Sequence, residues 1–356
     1  SVMLPVVING KISSDEDVDS FRFYAKGGEK VVVEVFARRL NSPLDSIVHL
    51  VDGNGDVVAA NDDYEDKGSG LTTHHADSYL IATIPRDGIY YARISSAQRQ
   101  GGDDYVYRLR ISKPKPDFEI RMAPSELNLR QGGCNDLTVY ALRKDGFDGD
   151  IWLSIKDAPS GFRLDGGRIP PGRDKVRVTI SSPPRRFVEP VRVLLQASAL
   201  INGKTVVRDV VASKEMVQAF AYHHLVPVND FFVYVRSVNP QRAPVKLLSP
   251  LPVRIRPGFT ARVSFEGPPL LKEFANLALS EPPEGIVLKN VVATRYGFDL
   301  VLYADREKVK PGLEDNLIVE MSPRPILQAN QTASSSLNRR RINAGALPAI
   351  PIIIVP

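Results

Sequence analysis

Short runs with apolar residues at alternate positions, separated by turn-forming residues, recur along this chain. Phe21 and Phe23 alternate with polar neighbours, Gly27-Gly28 turns the chain, and Val31-Val32-Val33-Glu34-Val35-Phe36 follows. A period of two sends successive side chains to opposite faces, which is the mark of a strand and not of a helix. The pattern resumes at residues 47–51, turns at Gly53-Asn54-Gly55, continues at Val57-Val58, and returns at 79–84, 90–94 and 105–111. Turns such as Pro85-Arg86-Asp87-Gly88 punctuate the runs. No stretch keeps a helical period, so the spacing predicts an all-β fold of sandwich or jelly-roll type.

Composition sharpens this reading. The chain has 356 residues, long enough for two or three domains at roughly 100–150 residues each. Its apolar fraction of 43% supplies a core for each of them. The 28 prolines lie mostly between apolar runs, where a missing backbone donor ends strands and shapes turns. Lys113-Pro114-Lys115-Pro116 reads as an extended spacer and marks a first boundary.

Beyond it, two pairs of features recur at an offset of about 125 residues, a domain-sized period. Ala158-Pro159-Ser160-Gly161-Phe162 follows Ile151-Trp152-Leu153-Ser154-Ile155, and Pro282-Pro283-Glu284-Gly285-Ile286 follows Leu277-Ala278-Leu279. Gly132-Gly133 precedes one strand and Pro257-Gly258 another. A diverged duplication is expected, with the bridge between copies near Pro227-Val228-Asn229. The reading is three tandem β-sandwiches at about 1–113, 114–228 and 229–356. Trp152, on an apolar strand, is expected in a core or between sheets.

The order and spacing of motifs in residues 1–113 carry a resemblance. They include Asp17-Val18-Asp19-Ser20-Phe21-Arg22-Phe23, Gly27-Gly28-Glu29-Lys30-Val31, Ser42-Pro43-Leu44-Asp45, Leu50-Val51-Asp52-Gly53-Asn54-Gly55 and Asn61-Asp62-Asp63. Asp77-Ser78-Tyr79-Leu80, Asp87-Gly88-Ile89-Tyr90-Tyr91-Ala92-Arg93-Ile94 and Tyr105-Val106-Tyr107-Arg108-Leu109 complete them. This stretch resembles the bacterial pre-peptidase C-terminal domain family. The resemblance implies a jelly-roll-like sandwich that is a non-catalytic accessory of secreted peptidases or exported surface proteins. The second and third modules resemble bacterial immunoglobulin-like domains, without a Cys–Trp–Cys signature.

Charge and chemistry narrow the function classes. The net charge of +5 is mild, the first 113 residues are slightly acidic, and basic residues are scattered through alternating strands. A nucleic-acid binder gathers them on one element, so no nucleic-acid partner is expected. Arg339, Arg340 and Arg341 read as an exposed loop. A single cysteine, Cys134, in an expected turn, permits no intrachain disulfide. No apolar run approaches the roughly 20 residues that cross a bilayer, so no membrane insertion is expected. Ile352-Ile353-Ile354-Val355 reads as a final strand.

Catalytic motifs are weak. Gly68-Ser69-Gly70 beside His74 lacks the strand-to-helix elbow of a hydrolase. His74-His75 and His223-His224 are adjacent pairs, which a strand sends to opposite faces, and no third ligand accompanies them. The sharpest candidate is an acidic cluster whose proposed metal ligands are Asp45, Asp52, Asn61, Asp62, Asp63 and Asp77, with Glu65 and Asp66 nearby. One reading is a structural Ca²⁺, which takes six to eight oxygen ligands. The other, which stands ahead of it, is that Asp and Asn are favoured in turns by bonding their own backbone. Tyr64, in the same segment, is a candidate contact for a ligand. The expectation is therefore a non-enzymatic, secreted or cell-surface accessory that binds an extracellular protein or polysaccharide, or spaces other domains. The alternative is the non-catalytic part of a secreted hydrolase whose catalytic domain lies outside the chain.

Overall fold

The computed structural model describes residues 1–64, 77–218, 222–236, 244–267, 275–323 and 345–356. Among them the regular structure is strand, save one 3-10 turn at Arg38–Leu40. The chain forms two compact units. The first comprises Ser1–Glu119 with Leu142–Asp148 and Met216–His224; the second comprises Ile120–Ala141, Gly149–Glu215 and Leu225–Pro356.

In the first unit the strands are β1 (Val6–Lys11), β2 (Asp19–Ala25), β3 (Lys30–Phe36), β4 (Ser46–Asp52), β5 (Val57–Asn61), β6 (Tyr79–Thr83), β7 (Gly88–Ser96) and β8 (Val106–Ser112). They build two four-stranded antiparallel sheets, ordered β1-β8-β3-β6 and β2-β7-β4-β5. The chain passes repeatedly from one sheet to the other, as in a jelly roll. Alternation puts Phe23, Val33, Val35, Leu50, Ile94 and Leu109 into the space between sheets. Each such side chain contributes roughly 1.5–3 kcal/mol by leaving water. Tyr90 is core and caps its burial by donating to the Arg86 carbonyl at 2.7 Å, whereas Tyr91 is half-buried. Gly10 is required where it stands, since a Cβ there would lie 2.3 Å from the Tyr107 ring.

Strands wholly or partly in the second unit fall into two groups. The first group is β9 (Asp117–Ala123), β10 (Glu126–Arg130), β11 (Cys134–Lys144), β12 (Ile151–Asp157), β13 (Arg163–Asp165), β14 (Arg168–Ile169), β15 (Lys175–Ser181), β16 (Val191–Arg192), β17 (Leu194–Ile201), β18 (Lys204–Gln218), β19 (Tyr222–Pro227) and β20 (Phe232–Arg236). The second is β21 (Lys246–Leu247), β22 (Val253–Ile255), β23 (Thr260–Glu266), β24 (Ala275–Ser280), β25 (Ile286–Ala293), β26 (Gly297–Ala304), β27 (Glu314–Pro323), β28 (Gly345–Ala346) and β29 (Ile350–Ile354).

The pairings of the two groups correspond. The run β9-β11-β15-β13 in one matches β21-β23-β26-β25 in the other. In the opposing sheets, β10 lies parallel to β20 and β22 parallel to β29, while β12 pairs with β17 and β24 with β27. Where the second group has one continuous strand, β27, against both β29 and β24, the first has β16 against β20 and β17 against β12. This strand order, shared by the two groups, is that of an immunoglobulin-like sandwich. Gly161 and Gly285 both sit at positive φ, of 95° and 86°, in the turns that lead to β13 and β25. Because β20 pairs with β10 and β16, the first of these sandwiches runs past Pro227-Val228-Asn229 to Arg236.

Two sequence-based placements change. Trp152 is 55% exposed, between buried Ile151 and Leu153. Strand alternation gives the reason: residues 151 and 153 take the inward face, so 152 must take the outward one. Cys134 opens β11 opposite Ser181 and is buried, not set in a turn.

Candidate functional site

The acidic segment of the first unit is built on strand ends. Asp45 and Asp52 bracket β4, and at about 3.3 Å per residue an extended strand holds them roughly 20 Å apart. Asp45 accepts from Gln98 Nε2 at 2.9 Å. Asp52 closes the β4–β5 turn, accepting from the N–H groups of Asn54 at 2.8 Å and Asp56 at 3.1 Å and from Arg86 at 2.6 Å. Burial pushes the Asp52 carboxyl up, but these three donors outweigh it and hold the group below the usual carboxylate range.

Asn61, Asp62 and Asp77 do come near one another. Asn61 Oδ1 accepts from Tyr79 N at 2.8 Å, and the Asp62 carbonyl accepts from Ser78 Oγ at 3.2 Å. The Asp62 carboxylate, however, accepts from the N–H of Asp63 at 2.9 Å. The Asp77 carboxylate is directed elsewhere, at the 3-10 turn. It accepts from the N–H groups of Ala37 (2.9 Å), Arg38 (2.7 Å) and Arg39 (3.2 Å), and from Arg39 Nε at 2.7 Å. These are the orphan donors that begin any helical turn, and a buried acid is a means of satisfying them. Among the described residues no three Asp, Glu, His or Cys side chains are grouped to hold a metal ion. Glu65, Asp66, Gly68-Ser69-Gly70, His74 and His75 lie outside the described residues, as do Arg339–341 and the side chains of His223 and His224.

Beside this turn runs a charged network invisible in the sequence. Arg39 also reaches Glu34 at 2.9 Å, Glu34 meets Arg110 at 2.7 Å, and Arg110 forks onto Asp145 with bonds of 2.7 and 2.8 Å. Asp145 further accepts from Lys115 N at 2.7 Å and the Tyr79 hydroxyl at 3.0 Å. Burial pushes the Asp145 carboxyl up, yet the guanidinium, the backbone N–H and the phenol together hold it below its usual range. Burial and the neighbouring Asp145 charge push the Tyr79 phenol up. Tyr64 packs edge-on against the Tyr79 ring at 5.1 Å. These carboxylates hold the fold: their lone pairs meet backbone donors and guanidinium groups, an arrangement that positions loops.

Residues 17–96, the body of the first unit, match the model of the bacterial pre-peptidase C-terminal domain. No curated protein matches the chain. Among solved structures, domains 5–6 of the S-layer protein SbsC align over 68% of this chain and 100% of theirs, at 10% identity and a TM-score of 0.26. The N-terminal eight immunoglobulin domains of Down syndrome cell adhesion molecule align over 92% of this chain and 39% of theirs, at 7% identity and a TM-score of 0.19.

Proposed function

We propose that this chain, whose residues 17–96 match the bacterial pre-peptidase C-terminal domain, is a non-catalytic accessory segment of an exported protein. It binds an extracellular protein or polysaccharide, or spaces the domains that do. The observation that carries the reading is the coupling of that family match to a unit whose buried acids, Asp52, Asp77 and Asp145, are spent on its own backbone and guanidinium groups. A hydrolase needs a carboxylate, hydroxyl or thiol left free to exchange a proton with substrate. Asp52, Asp77 and Asp145 are instead ligated by protein donors, and the Cys134 thiol is buried and pushed up to about 12. No helix among the described residues is long and apolar enough to cross a membrane. The second reading, favoured by the same family match, makes the chain the accessory part of a secreted peptidase.

Protease shaving of intact producing cells, with mass spectrometry of the released peptides and of the culture medium, tests the placement. Peptides of this chain in either fraction are expected; peptides found only after lysis refute it. Incubation of the purified chain with casein and with mixed glycans should give no turnover, and any turnover abolished by a point substitution would overturn the non-catalytic assignment.

A further inference from the structure

Trp152 is the single tryptophan of the chain, and it stands in the wall of a cleft of about 340 Å³ within the second unit. Its indole is turned outward from β12, with Leu164, Leu251 and Pro351 supplying further apolar wall. Exposing so large an aromatic surface forgoes stabilisation that burial would have given, and here the exposed ring stands in the wall of a cleft.

The polar groups of the cleft are fixed in advance. Arg168 is the cross-strand neighbour of Trp152, with its guanidinium carbon 5.7 Å from the ring centroid. It donates to Asp150 at 2.7 Å and also pairs with Glu314, while Arg173 pairs with Asp315. Asn316 donates to the carbonyls of Gly166 at 2.7 Å and Arg177 at 2.8 Å, which pins the floor to β27. Both arginines of the lining are thus matched by lining carboxylates, Glu314 and Asp315, with Asp150 behind Arg168, and Lys175 adds one further positive charge to the wall. At these two pairs an anionic ligand would have to displace a carboxylate from its arginine, and a cationic one an arginine from its carboxylate. A neutral ligand displaces neither, and it meets donors and acceptors side by side.

A ring with a C–H face and a rim of hydroxyls answers both features, since hydroxyls both donate and accept and the face lies flat on an indole. We propose that the cleft is a subsite for a neutral pyranose residue of a polysaccharide, stacked on Trp152 and hydrogen-bonded by the Arg168–Glu314 and Arg173–Asp315 pairs. Its size sits at the small end of ligand pockets, about 300–1,000 Å³, which suits a short stretch of glycan. The inference rests on the binding half of the proposed function and names its ligand class. Its failure leaves export and the spacing role standing, because shaving and turnover assays do not involve this cleft.

A single tryptophan makes the site its own reporter. The full chain is titrated with cellohexaose, chitohexaose and mannohexaose, and separately with oligogalacturonate and with a deca-proline peptide. Trp152 emission, acrylamide quenching and calorimetry are read. At least one neutral hexasaccharide should blue-shift the emission, shield it from quencher and give a heat of binding. Trp152→Ala should weaken that heat at least tenfold, Trp152→Phe less, and Tyr296→Ala, at an exposed aromatic elsewhere in the unit, not at all. Unchanged thermal melting of the Trp152 variants shows that a loss is not misfolding. The proposal is overturned if no neutral saccharide moves the emission, if Tyr296→Ala weakens binding as much as Trp152→Ala, or if oligogalacturonate or the peptide binds in their place.

Discussion

Replacing Asp145 tests whether the first unit depends on the Leu142–Asp148 segment. Asp145→Ala removes the acceptor for two Arg110 N–H bonds, the Lys115 N–H and the Tyr79 hydroxyl. Breaking one side of a buried ion pair typically costs about 3–5 kcal/mol, because the stranded charge keeps its desolvation penalty. Arg110 retains Glu34 at 2.7 Å, which places the expected loss at the lower end, about 3 kcal/mol. Asp145→Asn keeps acceptor oxygen and shape while losing charge, and should cost about 1–2 kcal/mol. In urea, with a slope of about 1–3 kcal/mol per molar, the Asp145→Ala midpoint falls by about 1–3 M. Far-ultraviolet circular dichroism of the full chain follows the transition, and Trp152 emission follows the second unit separately. The pH dependence carries a definite sign. A carboxyl held below its usual range adds stability that is complete above the unfolded value of about 3.9 and is lost as pH falls through the folded value. The gap between the parent and Asp145→Asn should therefore be full at neutral pH and close below about pH 4. A midpoint shift worth less than about 1 kcal/mol, or a gap undiminished in acid, would refute the reasoning.

Asp77→Ala strands the N–H groups of Ala37, Arg38 and Arg39 and should cost about 2–4 kcal/mol, equally with chelator and with millimolar calcium. A loss seen only in calcium would return a cation to Asp77. Gly166 has φ of 81°, and a Cβ there would lie 2.6 Å from Asn316 Nδ2; Gly166→Ala should lower stability by about 1–3 kcal/mol, read by melting of Trp152 emission. Burial pushes the Asp165 carboxyl up, with Arg163 only partly opposing it, so the folded state is penalised as pH rises through the raised value. Asp165→Asn should then be more stabilising at pH 7 than at pH 4 in urea titrations, and the reverse order would contradict the burial argument. The Cys134 thiol should resist a disulfide reagent at pH 8 in the folded chain and react promptly in denaturant.

What was legible followed from alternation. Residues 33–36 and 90–94 alternate inward and outward positions, and the structure buries Val33, Val35, Tyr90 and Ile94 accordingly, while Val32, in an unbroken apolar run, is buried as well. Trp152 was legible too, since it shares a face with Ser154 and opposes Ile151 and Leu153; judging it by hydrophobicity hid what its phase disclosed. Asp77 and Asp145 were not legible in this way. Their partners lie some 35 to 40 residues off in sequence, and only the folding of separate strands onto one another brings a carboxylate to those donors. Local acid density drew attention to a turn, while the acids that carry structural weight were picked out by burial.

The composition of the first unit has a temporal consequence. Because it includes Met216–His224, its last native segment is synthesised some hundred residues after Glu119. At about 5–20 residues per second, a ribosome takes roughly 5–20 s to supply it. During that interval all eight strands of the jelly roll are already supplied, while Arg110 first waits for Asp145 and the unit's last stretch, from Met216, is still to come.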